Sequence, residues 1–97
     1  MPKGYVIFTE AVKDPEGMKA YAKAAAPATG ANGVRVLAVD STPDVLEGTW
    51  HGDQTVILEF ESVEAARAWY NSPEYEKAKP LRHAAADTNV AIISGLG

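Results

Sequence analysis

Thr55-Val56-Ile57-Leu58-Glu59-Phe60 is the most strand-like run in this chain, a block of β-branched, aliphatic and aromatic residues preceded by the turn-forming His51-Gly52-Asp53-Gln54. Successive side chains of a strand point to opposite faces, so a sheet packed on one side only alternates apolar with polar residues. Val56, Ile57 and Leu58 are apolar in succession, and both faces of this strand are therefore apolar. Tyr5-Val6-Ile7-Phe8 near one end of the chain and Val90-Ala91-Ile92-Ile93 near the other share the property. Together these runs predict a sheet that needs a cover on each side.

Working outward, residues 4 to 12 read as the first strand, ended by Asp14-Pro15-Glu16. Asp14 is a good helix N-cap, Pro15 suits the first helical position and Glu16 complements the dipole. Met18, Tyr21, Ala22, Ala25 and Ala26 then recur at helical spacing, with Lys19 and Lys23 on the solvent side. Pro27 predicts a kink or a broken last turn before Gly30-Ala31-Asn32-Gly33 stops the helix. Residues 34 to 41 form a second strand, Thr42-Pro43-Asp44 a turn, and residues 45 to 50 a short returning strand that makes a hairpin arm.

After the 55–60 strand, Ser62 caps a helix through Ala65, Ala66, Trp69 and Tyr70. Asn71-Ser72-Pro73-Glu74 restarts it, with Ser72 as cap and Pro73 at the first position, and Tyr75, Ala78, Lys79 and Arg82 follow on one face. Pro80 leaves the extent of this segment open, and residues 89 to 95 are the last strand. The order is β, α, β with its arm, β, α, β. Two right-handed crossovers put both helices on one face of a single antiparallel sheet.

The other face is then bare. A chain of 97 residues holds one domain, residues 1–97, with no third layer to spend. The expected cover is the same sheet of a second copy, face to face about a two-fold axis, so an obligate homodimer is predicted. Val6, Phe8, Val56, Leu58 and Phe60 are the apolar set that meets the helices. Tyr5, Ile7, Thr9, Thr55, Ile57 and Glu59 are the mixed set. The polar members of the mixed set either line a pocket between the sheets or sit at the sheet rim in water.

Composition narrows the partners. A net charge of −4 and an ordinary charged fraction argue against nucleic acid and against disorder. The absence of cysteine excludes disulfides, thiolate catalysis and Cys-ligated metal, and fits a reducing compartment. No apolar run is long enough to span a membrane and the start shows no leader pattern, so a cytoplasmic protein without membrane contact is expected.

Leu46-Glu47-Gly48-Thr49-Trp50, the strand ending Glu59-Phe60, Ala68-Trp69-Tyr70-Asn71-Ser72-Pro73-Glu74-Tyr75 and Leu81-Arg82 together resemble a bacterial domain family of unknown function in the dimeric α+β barrel superfamily. The resemblance spans nearly the whole chain. It implies an α+β, ferredoxin-like βαββαβ fold pairing into a barrel, and it carries no settled activity. The chain departs from the family pattern at Val39-Asp40-Ser41, at Gln54 and at Ser94-Gly95, where relatives usually show Arg-Gly-Gly, arginine and Glu-Gly. Any ligand site built on those groups is altered here.

His51 and Asp53 stand two apart in a turn and make a candidate base and orienting carboxylate, against the plain reading of turn residues on a surface. His83 reads as a solvated helix histidine rather than a haem ligand, and the two histidines lack metal-site spacing, so neither cofactor nor metal is expected. Trp69, Tyr70 and Tyr75 read as packing. Arg82, with Glu74 and Glu76 upstream, reads as a partner in surface or interface ion pairs. Three functions compete. The first is a dimer binding a small molecule between sheet and helices near Tyr5, Thr9, Tyr21, Glu59 and Trp69, with His51 as a further pocket candidate. The second, implied by the superfamily, is a cofactor-free monooxygenase or isomerase acting on a small aromatic substrate, with a Tyr, His or Glu moving the proton. The third is a structural dimer module with a dry interface.

Overall fold

A computed structural model describes residues 2–31 and 33–97. In chain order the elements are β1 (Gly4–Val12), α1 (Pro15–Ala31), β2 (Arg35–Asp40), β3 (Gln54–Phe60), α2 (Val63–Tyr70), α3 (Pro73–Ala85) and β4 (Ala86–Ser94). The strands form one antiparallel sheet in the order β2-β3-β1-β4, the βαββαβ arrangement expected from the sequence.

The caps act as their chemistry dictates. Ser62 Oγ accepts from the Ala65 amide at 3.0 Å and Ser72 Oγ from the Tyr75 amide at 3.2 Å, each satisfying a donor that its helix leaves open. Pro73 stands at the head of α3, where its missing N–H costs nothing.

Three expectations about local structure are corrected. α1 does not break at Pro27 but runs on to Ala31, because Ala25 and Ala28 on either side of the proline are buried and hold the last turn on the core. Asn32, part of the expected helix stop, lies outside the described residues. Residues 45 to 50 are not a returning strand. β2 pairs directly with β3, and the intervening loop carries Pro43, which cannot donate to a ladder, and Gly48 and Gly52 at φ +75° and +76°. β4 begins at Ala86, ahead of the expected residue 89, because its pairing with β1 extends to Ala86 opposite Val12.

Register places the apolar set as expected. Val6 faces Leu58 and Ile92 across its two neighbours, and Phe8 faces Val56 and Val90. Val6, Phe8, Leu58 and Phe60 are buried under the helices. Trp69 of α2 is the centre of this core, its ring 4.1 Å from Tyr75, 5.3 Å from Phe60 and 6.4 Å from Phe8 between centroids. On the opposite face Ile7 lies between Ile57 and Ala91, and Ala91 is exposed there. No helix among the described residues is long and apolar enough to cross a membrane.

Candidate functional site

β1 continues its helix-facing parity one step past Phe8, to Glu10. That position puts a carboxylate on the apolar side of the sheet, where it is 2% exposed. Its neighbours in register are Gln54 on β3 and Thr88 on β4, so a polar row crosses the floor under the helices. Gln54 Nε2 donates to Glu10 Oε1 at 2.8 Å. Burial holds the Glu10 carboxyl above the usual carboxylate range, against the opposing pull of the Gln54 hydrogen bond and the Arg82 charge.

Gly52 allows this row to form. A Cβ there would lie 2.3 Å from the Glu10 carbonyl carbon and oxygen, and its positive φ is costly for any other residue. The close approach lets the Asp53 amide donate to the Glu10 carbonyl at 2.9 Å.

From α1 and α3 come two phenols. The hydroxyls of Tyr21 and Tyr75 are 2.7 Å apart, with their rings edge to face, and burial pushes both phenols above their ordinary range, Tyr21 far above it. Two turns after Tyr75, Arg82 projects from the same buried face of α3. Its guanidinium carbon is 5.4 Å from the Phe8 ring centroid and 5.9 Å from that of Tyr21. It is 1% exposed, which corrects the expectation of a surface ion-pair partner. α3 turns the Tyr75, Ala78, Arg82 and Ala85 stripe onto the core, and the acidic Glu74 and Glu76 fall outside it. Arg82 Nε and Nη2, Trp69 Nε1 and Thr88 Oγ1 are buried without a hydrogen-bond partner among the described residues.

Above this floor α1 packs against α3, and between α1 and the sheet lies a cavity of about 560 Å³. Glu10, Lys19, Tyr21, Thr29, Gln54 and Trp69 are the polar members of its lining, and Phe8 lies among them. Met18, Ala22, Ala25 and Ala26 of α1 and Val36, Val39, Val56 and Leu58 of the sheet supply apolar walls. Val36 and Val39 are both more than half exposed, and they belong to the edge strand β2, so the cavity opens along that edge. Its size falls in the range that holds small organic ligands.

The sheet divides the residues predicted from sequence. Tyr21 and Trp69 line the cavity. Tyr5, Thr9 and Glu59 lie on the opposite face, paired as Tyr5 with Glu59 and Thr9 with Thr55. There the Tyr5 hydroxyl donates to Glu59 Oε2 at 3.1 Å, a bond that raises the Tyr5 phenol, and Arg35 Nη1 donates to Glu59 Oε1 at 3.3 Å. Trp50 Nε1 donates to Thr55 Oγ1 at 2.8 Å. His51 sits at neither place, its Nε2 2.9 Å from the Asp87 carbonyl oxygen at the entry to β3. Glu10 and Gln54 were legible as site residues from parity alone, since they extend the Val6-Phe8 and Val56-Leu58 series. Arg82 and the Tyr21–Tyr75 bond depend on how α1 and α3 meet, which no local pattern states.

The profile described as Domain of unknown function (DUF1330) matches residues 3–96. No curated protein matches the chain. Among solved structures, the RPA0582 protein of unknown function from Rhodopseudomonas palustris is similar with a TM-score of 0.77 and 22% identity, covering 99% of this chain and 84% of that one. A dimeric ferredoxin-like protein of unknown function from Thermobifida fusca follows at TM-score 0.66 and 14% identity, covering 96% and 91%. SnoaB, a cofactor-independent oxygenase from Streptomyces nogalater, gives TM-score 0.70 at 8% identity, covering 100% and 96%. At these identities the likeness is one of fold, and it agrees with the ferredoxin-like topology of the sheet.

Proposed function

The chain belongs to the family of unknown function DUF1330, and from that membership and the geometry of the cavity we propose that it is a single-domain, homodimeric cytoplasmic protein that binds a small molecule between its sheet and α1. The observation that carries the reading is the cavity itself: apolar walls closing on Glu10, Gln54 and Tyr21, whose hydroxyl bonds that of Tyr75. Polar groups held out of water beside an open space are costly for a module that only packs. The reading therefore moves the pocket from the Tyr5, Thr9 and Glu59 face to the helix side. The second copy is supported by the bare sheet face, where Ile7 and Ile57 lie side by side and Ile93 is 47% exposed.

A thermal-shift screen of small apolar and aromatic compounds tests the binding claim, and light scattering at micromolar concentration tests the dimer. Compounds that raise the melting temperature in wild type but not in an Ala25→Trp variant, whose indole enters the cavity, are the expected result. A chain that no compound stabilises is the structural module instead.

One observation favours a catalytic version of the same site. Glu10 is a carboxyl lifted by burial and placed beside two phenols, an arrangement suited to taking a proton from a bound phenol or enol. The cofactor-independent oxygenase of similar fold gives that version a class of reaction to try. Turnover of a quinol under oxygen that is lost in Glu10→Gln supports it, and turnover indifferent to Glu10→Gln removes it.

A further inference from the structure

Glu10 and Gln54 both line the cavity, and the hydrogen bond between them leaves part of the carboxyl unused. Gln54 Nε2 donates to Glu10 Oε1, while Glu10 Oε2 has no hydrogen-bond partner among the described residues. That oxygen differs from Trp69 Nε1, Arg82 Nε and Arg82 Nη2, which are unpartnered and sealed in protein. Glu10 is 2% exposed, so the little of it that stays open includes this oxygen, and the space it borders is the cavity. An unmatched carboxyl oxygen beside apolar walls is costly until a ligand or a water answers it.

We propose that the ligand of this cavity is an alcohol, an apolar body resting on Ala22, Ala25 and Val56 with its hydroxyl against Glu10 Oε2. The proposal rests on the small-molecule reading of the cavity and names its ligand class. It reaches past a reactive phenol or enol, because an alcohol with no proton to lose meets the same oxygen. A hydroxyl serves this carboxyl in either protonation state. It donates to the carboxylate, and it accepts from the protonated form, whose Oε1 still accepts from Gln54.

Charged heads are opposed by what surrounds the cavity. An ammonium meets Lys19 in the lining and the Arg82 charge, which is close enough to act on Glu10. A carboxylate meets the Glu10 carboxyl and, near it, Asp53, while the Nε–Nη2 edge of Arg82 that would hold an anion is sealed away. A neutral hydroxyl meets neither opposition. A hydrocarbon meets none either, but it leaves Oε2 unanswered.

Isothermal titration of the full chain with menthol, cyclooctanol and 2-naphthol, each beside the chloride of the same skeleton, tests the proposal. The chloride is the more hydrophobic of each pair, so a cavity that reads only apolar surface ranks it first. The expected result is the reverse, each alcohol binding at least about threefold more tightly than its chloride. Glu10→Leu should return the chloride to first place, and Glu10→Gln, whose amide still bonds a hydroxyl, should keep the alcohol there. If Glu10→Leu fails to fold, the ranking on the unaltered chain and in Glu10→Gln still decides. Chlorides that bind as tightly as the alcohols, or an alcohol preference that survives Glu10→Leu, overturn this proposal and leave the small-molecule reading standing. If none of the probes binds, the reading of the cavity falls with it.

Discussion

Replacing Ile57 by lysine puts a charge at the middle of the bare sheet face. Ile57 pairs with Ile7 on one side and with Ala38 on the other, so its directly opposed neighbours offer the ammonium no partner, and Glu59, two residues along the same face, already accepts from Tyr5 and Arg35. Four strands about 4.8 Å apart and seven paired positions rising about 3.4 Å each make a face of about 19 by 24 Å, roughly 450 Å² per copy. Doubled by symmetry and enlarged by side-chain relief, it approaches the lower end of stable interfaces, about 1,200 Å². Such an interface has little to spare. Each lost isoleucine forfeits about 1.5–3 kcal/mol of burial, and a two-fold dimer loses two, so association weakens by about 3–6 kcal/mol before the cost of desolvating the lysines. At about 1.4 kcal/mol per factor of ten, the dissociation constant rises by roughly a hundred- to ten-thousandfold. Sedimentation velocity from one to one hundred micromolar reads this directly, with far-UV circular dichroism to show that the chain still folds. The helix-side core of Val6, Phe8 and Trp69 is untouched by the change, so a folded monomer is the expected product. An Ile57→Lys protein that sediments as wild type does, as an unaltered dimer, would refute the assignment of this face to a second copy.

Two further outcomes follow from the polar floor. The folded-state pKa of Glu10 is raised, so the native chain binds a proton that the unfolded chain releases, and stability falls as pH rises from the unfolded pKa through the folded one. Glu10→Gln keeps an acceptor for Gln54 and removes that loss, so its melting temperature relative to wild type should climb from pH 4 to pH 8, and a pH-independent difference would count against a buried carboxyl at this place. Gly52→Ala forces a side chain into a left-handed backbone and against the Glu10 carbonyl, at a cost of about 1–2 kcal/mol for the backbone alone, and should lower the melting temperature by at least about 4 °C in a domain of this size. Differential scanning calorimetry measures it, and an unshifted transition would show that the β3 entry does not fix Glu10.

The architecture was legible because alternation and capping are local. The 4–12 and 55–60 runs state their own faces, and Ser62, Ser72 and Pro73 state where helices begin. The failures occur where distant residues decide. Val45 and Leu46 look like strand residues, yet β2 takes β3 as its partner and leaves them in a loop with Pro43 and Gly48. Pro27 alone predicts a kink or a broken last turn, but the helix runs through it to Ala31 with Ala25 and Ala28 buried on the core. The site follows the same division. Parity separates Tyr5, Thr9 and Glu59 from the helix face and assigns Glu10 to it, so that half of the floor was readable. Tyr21, Tyr75 and Arg82 meet only because α1 lies on α3, and helical spacing shows which residues share a stripe without showing what the stripe faces.

The chain has two tryptophans, Trp50 in the loop before β3 and Trp69 in the cavity floor. A Trp50→Phe protein therefore carries one indole, placed where the ligand is held to bind. Titrating it with 2-naphthol while following tryptophan emission tests that placement most directly. A saturable change in Trp69 emission, reversed when the ligand is dialysed away, is the result predicted. Emission that stays flat while calorimetry on the same protein reports binding would put the ligand elsewhere and contradict the account.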